Sequence, residues 1–359
     1  MKTAILQVAD TGPLESLVVM LQSVGYRCFL PSSSLKDELR RIGCDTVLNV
    51  ADLVRTGSYE PPMELPEASL VRGVERGGHG DMDTADLYVD IKAHRCYDKV
   101  VDRWPNLVGK VLWYRINGGK PEHVIKRDGF DCGDEANPPC PVLTPNQWYS
   151  PLTCEINCWC KPEGKSYCCW PPFHRLKDYL GERTKHQYTQ PLCLVHNLAG
   201  WGWGSMVESM RKLDVLMHGD GSPDGPLRHD LLRGKFHQTL AMVHLKSSDA
   251  PGYAIYEAMA SGCPIVCSKR LIWRNRMQDL LIDGETCLTF DRETHDSLDD
   301  AAVEKCTSEI KEHLSWLSKP DNNRKIGEAG RRQLLSVVWS ADKTEDVASL
   351  SAFMKRNFG

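Results

Sequence analysis

Apolar residues in the first part of the chain fall in short blocks separated by polar turns. Positions 3–8 form a run of the length of a buried strand, and 14–23 carry apolar residues at helical spacing. The triplet Thr11-Gly12-Pro13 reads as the turn between them. Gly25 closes the helix, 26–30 predicts a second strand, 34–42 a second helix and 46–50 a third strand. Strand and helix in alternation imply a parallel sheet with right-handed crossovers. Pro61, Pro62 and Pro66 mark a loop, and further strands are predicted at 86–91, 111–116 and 141–144. A second alternating unit begins near 192. It has a strand at 192–196, a glycine-rich loop at 200–204, a helix at 205–213 with Ser205 as its N-cap, a strand at 215–219 and a helix at 231–241. The tail, 301–358, is helical with charged faces. No repeat at solenoid spacing interrupts this pattern.

The length of 359 residues accommodates two ordinary domains. A hydrophobic share of 41% and a charged share of 26% fit a water-soluble globular protein. The net charge of −4 argues against a generally basic nucleic-acid coat. No apolar run has the length of a membrane span, so no membrane insertion is expected. The first apolar run breaks at Asp10, too early for a secretory signal, which leads to the expectation of a cytoplasmic protein, the host cytoplasm if the source is viral. The 15 cysteines form no secreted disulfide pattern.

The stretch from Lys246 to Asp291 carries the most chemistry. It reads as a polar loop, a glycine (Gly252), a short apolar helix, a turn and the strand Pro264-Ile265-Val266-Cys267. A loop that offers free backbone N–H groups at a helix start suits an anionic group such as a diphosphate. Asp249 and Glu257 bracket the start of that helix.

This stretch resembles the donor-binding motif of retaining glycosyltransferases with two Rossmann-like domains, the GT-B fold, most like family 4. That motif has two glutamates separated by seven residues, followed by E-A-M-A-x-G-x-P-V-V. Here Asp249 and Glu257 are followed by Ala258-Met259-Ala260-Ser261-Gly262-Cys263-Pro264-Ile265-Val266, and Asp283-Gly284-Glu285-Thr286-Cys287-Leu288 resembles the family's later turn. The compact chain, with 111–117 and 244–256, is also similar to glycosyltransferases encoded by tailed bacteriophages. The resemblance implies an α/β protein of two Rossmann-like domains with a cleft between them and a final helix crossing back to the first. The expected boundaries are 1–185 for an acceptor-binding domain with a cysteine-rich insertion at 130–175, 186–335 for a nucleotide-sugar domain and 336–359 for the returning helix.

The resemblance also implies roles. Glu257 would hold the ribose hydroxyls of the nucleotide, since a carboxylate accepts two hydrogen bonds from a vicinal diol. Asp249 stands for the family's first glutamate, which contacts the sugar, and is one methylene shorter. Gly252, Tyr253 and Ala254 would sit at the donor. The family's arginine and lysine after the first strand of the second domain are missing from His196-Asn197-Leu198-Ala199-Gly200-Trp201-Gly202-Trp203-Gly204. Arg233, Lys235 and Lys246 are candidate substitutes, with Gly204 in the glycine loop, and Gly221 and Ser222 are placed near the base by fold analogy. In the first domain Asp10, Thr11 and Gly12 should line the carboxyl ends of the strands, where ligands of such sheets bind. His79, Arg95, Arg115 and Asn117 are candidates for the acceptor, and Asp90 and His94, with Asp249, for catalytic work on its hydroxyl. Catalysis in the resembled family proceeds by front-face attack with the leaving phosphate taking the proton, so no cofactor and no catalytic metal are expected.

The cysteines of the insertion leave two readings. Cys154, Cys158, Cys160 and Cys168 have the residue types of a tetrahedral thiolate site for a structural zinc. The same segment also reads as a loop of buried or free thiols, because its spacing matches no established zinc signature.

Between Ile91 and Arg127 nine Lys or Arg stand against three acidic residues, and Lys269 to Arg276 forms a second basic and aromatic stretch. Clustered charge of this kind suits a polyanionic acceptor or is simply a solvated face. The leading expectation is therefore a hexosyl- or pentosyltransferase moving a sugar, from a UDP-sugar by preference, to a hydroxymethylated pyrimidine such as 5-hydroxymethylcytosine in double-stranded phage DNA. Reaching that base would require flipping it from the stack. A glycan, a lipid-linked sugar or a small molecule is the alternative acceptor. A catalytically silent nucleotide- or nucleic-acid-binding GT-B protein is the alternative of another class. A nicotinamide-dependent enzyme is excluded because Ala9-Asp10-Thr11-Gly12 lacks the G-x-G-x-x-G fingerprint.

Overall fold

A computed structural model describes residues 2–7, 11–44, 82–90, 93–114, 140–143, 158–159, 179–181, 183, 188–195, 204–219, 221–246, 253–274, 277–292, 298–339 and 344–359. The chain divides into two compact units. Unit 1 is Met1–His174 with Asp342–Gly359, and unit 2 is Arg175–Ala341.

In unit 1, β1 (Lys2–Gln7), α1 (Thr11–Ser23), β2 (Tyr26–Phe29), α2 (Ser33–Arg41), β3 (Leu87–Asp90), α3 (Ala93–Arg103), β4 (Val111–Tyr114), β5 (Val142–Leu143) and β6 (Cys158–Trp159) follow in order. The sheet has the order β2-β1-β3-β4-β5-β6, and every pair is parallel. Side chains on successive strand residues point to opposite faces, and each face has its own cover. Ala4, Leu6, Leu87 and Val89 pack with Leu14, Leu17 and Leu21 of α1. Ile5, Tyr88 and Val111 pack with Leu35 and Leu39 of α2 and Cys96 and Val100 of α3. The last helix, α10 (Thr344–Phe358), places Leu350, Phe353 and Met354 on the α1 side, so the C-terminus belongs to the first unit.

Two differences from the sequence reading have simple causes. The first helix begins at Thr11, because a proline in the first turn of a helix gives up an N–H that has no helical partner there. The second helix is capped by Ser32, whose hydroxyl accepts from Leu35 N–H at 3.1 Å. The strand expected at 46–50 lies outside the described residues.

Unit 2 contains β7 (Leu192–Leu194), α4 (Gly204–Lys212), β8 (Leu216–His218), α5 (His229–Gln238), β9 (Met242–His244), α6 (Tyr253–Ala260), β10 (Ile265–Ser268), α7 (Lys269–Arg274), β11 (Leu288–Phe290), α8 (Asp300–Leu317) and α9 (Pro320–Leu334). Its sheet has the order β11-β10-β9-β7-β8, again parallel. Met206 and Met210 of α4 with Cys306, Ile310 and Leu314 of α8 cover the face that carries Cys193, Val243, Val266 and Phe290. Ser205 lies inside the first turn of α4, one residue after its start at Gly204. The helix α5 stops at Gln238, short of the expected 241. The next backbone groups are used in pairing, with Leu240 N–H donating to Thr189 O and Ala241 O accepting from Leu192 N–H.

Candidate functional site

The first strand of unit 2, β7, has β8 on one side and β9 on the other. The chain therefore leaves β7 in one direction and returns past it in the other. In open parallel sheets the crevice at the carboxyl ends of two such strands is where ligands bind. Several features meet at this edge. Gly204 opens α4, whose first N–H groups have no helical acceptors and carry the positive end of the helix dipole. Lys246 follows the end of β9.

The loop after β8 is closed by its own bonds. Gly219 N–H donates to Gly225 O at 3.0 Å, and the Asp224 carboxylate accepts from Met217 N–H at 2.6 Å. Ser222 ties the loop to β7, its hydroxyl donating to Val195 O at 2.9 Å. Gly221 adopts φ +74°, in the left-handed region that favours glycine.

The helix α6 is buried on every side from Ile255 to Ala260. Glu257 stands in this apolar helix at 1% exposure. Its carbonyl accepts from both the N–H and the hydroxyl of Ser261, at 3.0 and 2.8 Å, which ends the helix. Gly262 then turns the chain with φ +68° into β10. The turn is held from behind by Arg183, which donates from Nη1 to Gly262 O at 3.0 Å and to Asn323 Oδ1 at 2.7 Å, and from Nη2 to Thr239 O. Its guanidinium also lies 4.4 Å from the centre of the Tyr188 ring. The segment Asp283-Gly284-Glu285-Thr286 closes on itself. Thr286 Oγ1 accepts from Ile282 N–H at 2.7 Å and donates to Leu280 O at 2.9 Å, and Gly284 has φ +77°. The small residues of the motif are thus explained by close packing, and its acidic residue is the part that packing alone does not require.

Sequence reasoning missed a cation at this edge. Arg292, two residues beyond β11, is buried and donates from Nη1 to Leu245 O at 2.9 Å, while its own carbonyl accepts from the Ser268 hydroxyl at 3.5 Å. It joins the ends of β9, β10 and β11. Burial, followed by the nearby Arg270, draws its pKa below the ordinary guanidinium value. The motif read in the sequence stops at Asp291, and the signal that could have found Arg292 is a basic residue just past the short apolar run 288–290.

The expected site residues are gathered in part. Lys246, Gly204, Gly221 and Ser222 lie at the carboxyl edge, and Tyr253, Ala254 and Glu257 lie on α6. Arg233 lies mid-way along α5 and is exposed. It sits one turn before His237, whose ring packs on Gly181 and shares its surroundings with Arg183 and Arg331, towards the amino end of β9. Lys235 is half-buried on the same helix. Asp249 and Gly252 lie outside the described residues, as do Asp10, His79, Arg115 and Asn117. Thr11 and Gly12 open α1, and His94 and Arg95 lie in the first turn of α3, with their side chains outside the description.

Asp90 differs from its expected position facing a ligand. It is fully buried, on the face of β3 that carries Tyr88, and α2 and α3 cover that face. Of the four insertion cysteines, only Cys158 falls on a described element, β6, and its side chain is not described; Cys154, Cys160 and Cys168 lie outside.

Solved structures share this architecture along the whole chain. Sucrose-phosphate synthase from Thermosynechococcus elongatus superimposes with a TM-score of 0.54 at 13% identity, covering 100% of this chain and 99% of that one. The fold is GT-B. Two further GT-B structures are HepE from Anabaena in complex with UDP-glucose, at TM-score 0.52 and 13% identity over 99% of this chain and 98% of that one, and a glycosyltransferase from Rickettsia africae, at TM-score 0.52 and 12% identity over the same shares. Residues 204–343 match the family model described as glycosyl transferase-like, a span that starts at the first residue of α4, after β7, and contains the rest of the edge described above. No curated protein matches the chain. Among the described residues no helix is long and apolar enough to cross a membrane.

Proposed function

We propose that the protein is a glycosyltransferase that takes a nucleotide-sugar donor at the carboxyl edge of the unit 2 sheet. The observation that carries this reading is the convergence of the α4 start at Gly204, Lys246 and the Ser222 loop on the ends of β7 and β9. Helix N–H groups with a nearby ammonium form a site for a diphosphate. Glu257 accepts the ribose hydroxyls of the donor, and Asp249 takes the sugar hydroxyls. A UDP-sugar is favoured, supported by the UDP-glucose bound to HepE in the same fold. Transfer retains the anomeric configuration and uses no dissociable metal, the leaving phosphate accepting the proton of the attacking hydroxyl. Asp90, buried in the core of unit 1, is left out of this mechanism.

For the acceptor we propose a polyanion, a hydroxymethylated pyrimidine in DNA, on the strength of the basic stretch 91–127. Among the described residues, two of these cations are engaged inside unit 1. Arg103 donates from Nε to Glu38 at 2.6 Å, and the Lys99 ammonium rests against Gly43. The remaining charge is the basis of the DNA reading.

The test is nucleotide release from UDP- and GDP-sugars by the full chain. Each donor is offered with 5-hydroxymethylcytosine DNA, 5-hydroxymethyluracil DNA, unmodified DNA, a glycan panel, or no acceptor. Release that depends on a hydroxymethylated base supports both donor and acceptor. Release with a glycan, or slowly with water, keeps the transferase and removes DNA. Absence of both binding and release with every donor overturns the reading.

A further inference from the structure

Among the described residues one set of metal-ligating side chains converges in unit 1. The Sγ atoms of Cys44 and Cys96 and a carboxylate oxygen of Asp90 lie within 4.8 Å of one another, and all three residues are buried. They come from separate parts of the chain. Cys44 follows α2, Asp90 ends β3 and Cys96 lies in the first turn of α3. The carboxylate also has a hydrogen-bond partner outside the three ligands. The Tyr88 hydroxyl lies 2.6 Å from Gln7 Oε1 and 3.3 Å from Asp90 Oδ2, sharing its proton between two acceptors. Outer hydrogen bonds of this kind fix the orientation of carboxylates that ligate metals.

We propose that Cys44, Asp90 and Cys96 bind one thiophilic divalent cation, zinc by preference. Two thiolates and one carboxylate are a soft, anionic donor set, which selects zinc over magnesium or calcium. With bonds of about 2.3 Å to sulfur and about 2.0 Å to oxygen, ligand atoms around a tetrahedral zinc stand roughly 3.5–3.8 Å apart, so the observed cluster closes on an ion with small side-chain adjustments. The charges also balance. Three negative groups face a dipositive ion and the Lys99 ammonium, which packs against Gly43 next to Cys44. Buried charges persist where they are paired or coordinate a metal. The fourth position falls to a water or to a main-chain carbonyl such as that of Gly43, 3.9 Å from Cys96 Sγ. On binding, the two thiols release their protons to solvent and the ion takes both sulfur lone pairs. Such an ion would pin the end of α2 and the start of α3 to the sheet. The site does not depend on the donor reading and lies in the other unit.

The test uses the full chain, reduced and stripped with a chelator, then titrated with Cd²⁺ while the ultraviolet sulfur-to-cadmium charge-transfer band is followed. Zinc content is measured in parallel. The insertion cysteines are a competing sink, so the titration is repeated with Cys154, Cys158, Cys160 and Cys168 changed to Ser, where one ion per chain is expected. Cys96→Ser should weaken the band. Asp90→Asn, which preserves size and an acceptor for Tyr88, should weaken affinity by at least about tenfold with circular dichroism unchanged. If the cysteine variants fail to fold, the Asp90→Asn shift in the otherwise unaltered chain decides. Unchanged stoichiometry and affinity in Asp90→Asn would overturn the site. So would a Cys44–Cys96 disulfide found by mass spectrometry in protein prepared without added oxidant.

Discussion

Gly327 of α9 lies against the carbonyl of Gly262, so close that a methyl group at 327 would overlap that oxygen. The contact lets α9 sit directly on the turn that follows the Glu257 helix. Helix propensity alone says that Gly327→Ala should stabilise by up to about 1 kcal/mol. The neighbour here is backbone, which cannot swing aside. We expect a net loss of roughly 1–3 kcal/mol, the usual cost of overpacking. Urea unfolding of the two proteins measures it, and a higher midpoint in the variant would show that α9 can retreat without cost.

Asn323 fills three roles at once. Its Oδ1 accepts from Arg183, and its Nδ2 donates to Leu240 O at 2.8 Å and to Leu317 O at 3.3 Å. Removing the amide leaves those groups without that partner in a buried site, at about 1–3 kcal/mol for each one that finds no substitute. Asn323→Ala should therefore lower stability by roughly 2–4 kcal/mol. Chemical denaturation provides the check, with Asn323→Asp as a companion that keeps Oδ1 and still loses both Nδ2 bonds.

Glu257→Gln keeps volume and one acceptor oxygen but removes the charge. Hydrogen bonds to a charged group contribute about 1.5–3 kcal/mol, so UDP-glucose affinity should fall by roughly 10- to 150-fold while the melting temperature changes little. Calorimetric titration reads the affinity. An unchanged dissociation constant, once binding by the parent is established, would take Glu257 out of the donor site.

His237 gives a pH dependence with a defined sign. Burial first, then Arg233, Arg183 and Arg331, hold its pKa below the ordinary 6.5. The folded state thus binds fewer protons than the unfolded state below that value. The contribution to stability is fully present above about pH 6.5 and is lost as the pH falls through that value towards the lower folded pKa. Melting curves of the parent and of His237→Gln should differ in slope below about pH 6.5 and run parallel above it.

Burial pushes the thiols of Cys28, Cys140 and Cys193 up to about 12. The thiolate is the nucleophile. In the native protein at about pH 8 these three should resist iodoacetamide, and in denaturant they should label fully. Peptide mass spectrometry distinguishes the two states, and rapid native labelling at any of the three would mean that the packing around it opens readily.

The pattern of apolar positions by itself determined many of the elements, though α3, β6, α7 and β11 were not read from it. Alternating short strands and helices needed only local information, because strand length, helical spacing and the glycine at 25 are written in neighbouring residues. The acidic pair, the E-A-M-A-S-G-C-P run and the turn at 283–286 were equally legible, since they lie close together in the chain. Pairings over long separations were decided by the tertiary structure. The sheet order placed the carboxyl ends of β7 and β9 side by side, and the crossing of α9 brought Asn323 to Arg183, 140 positions away. Arg292 reached Leu245, and Asp90 was turned into the core beside Cys44 and Cys96, for the same reason. Periodicity tells which face of an element is apolar. It carries no record of which other element covers that face, and the partners of a buried polar group are set by that choice.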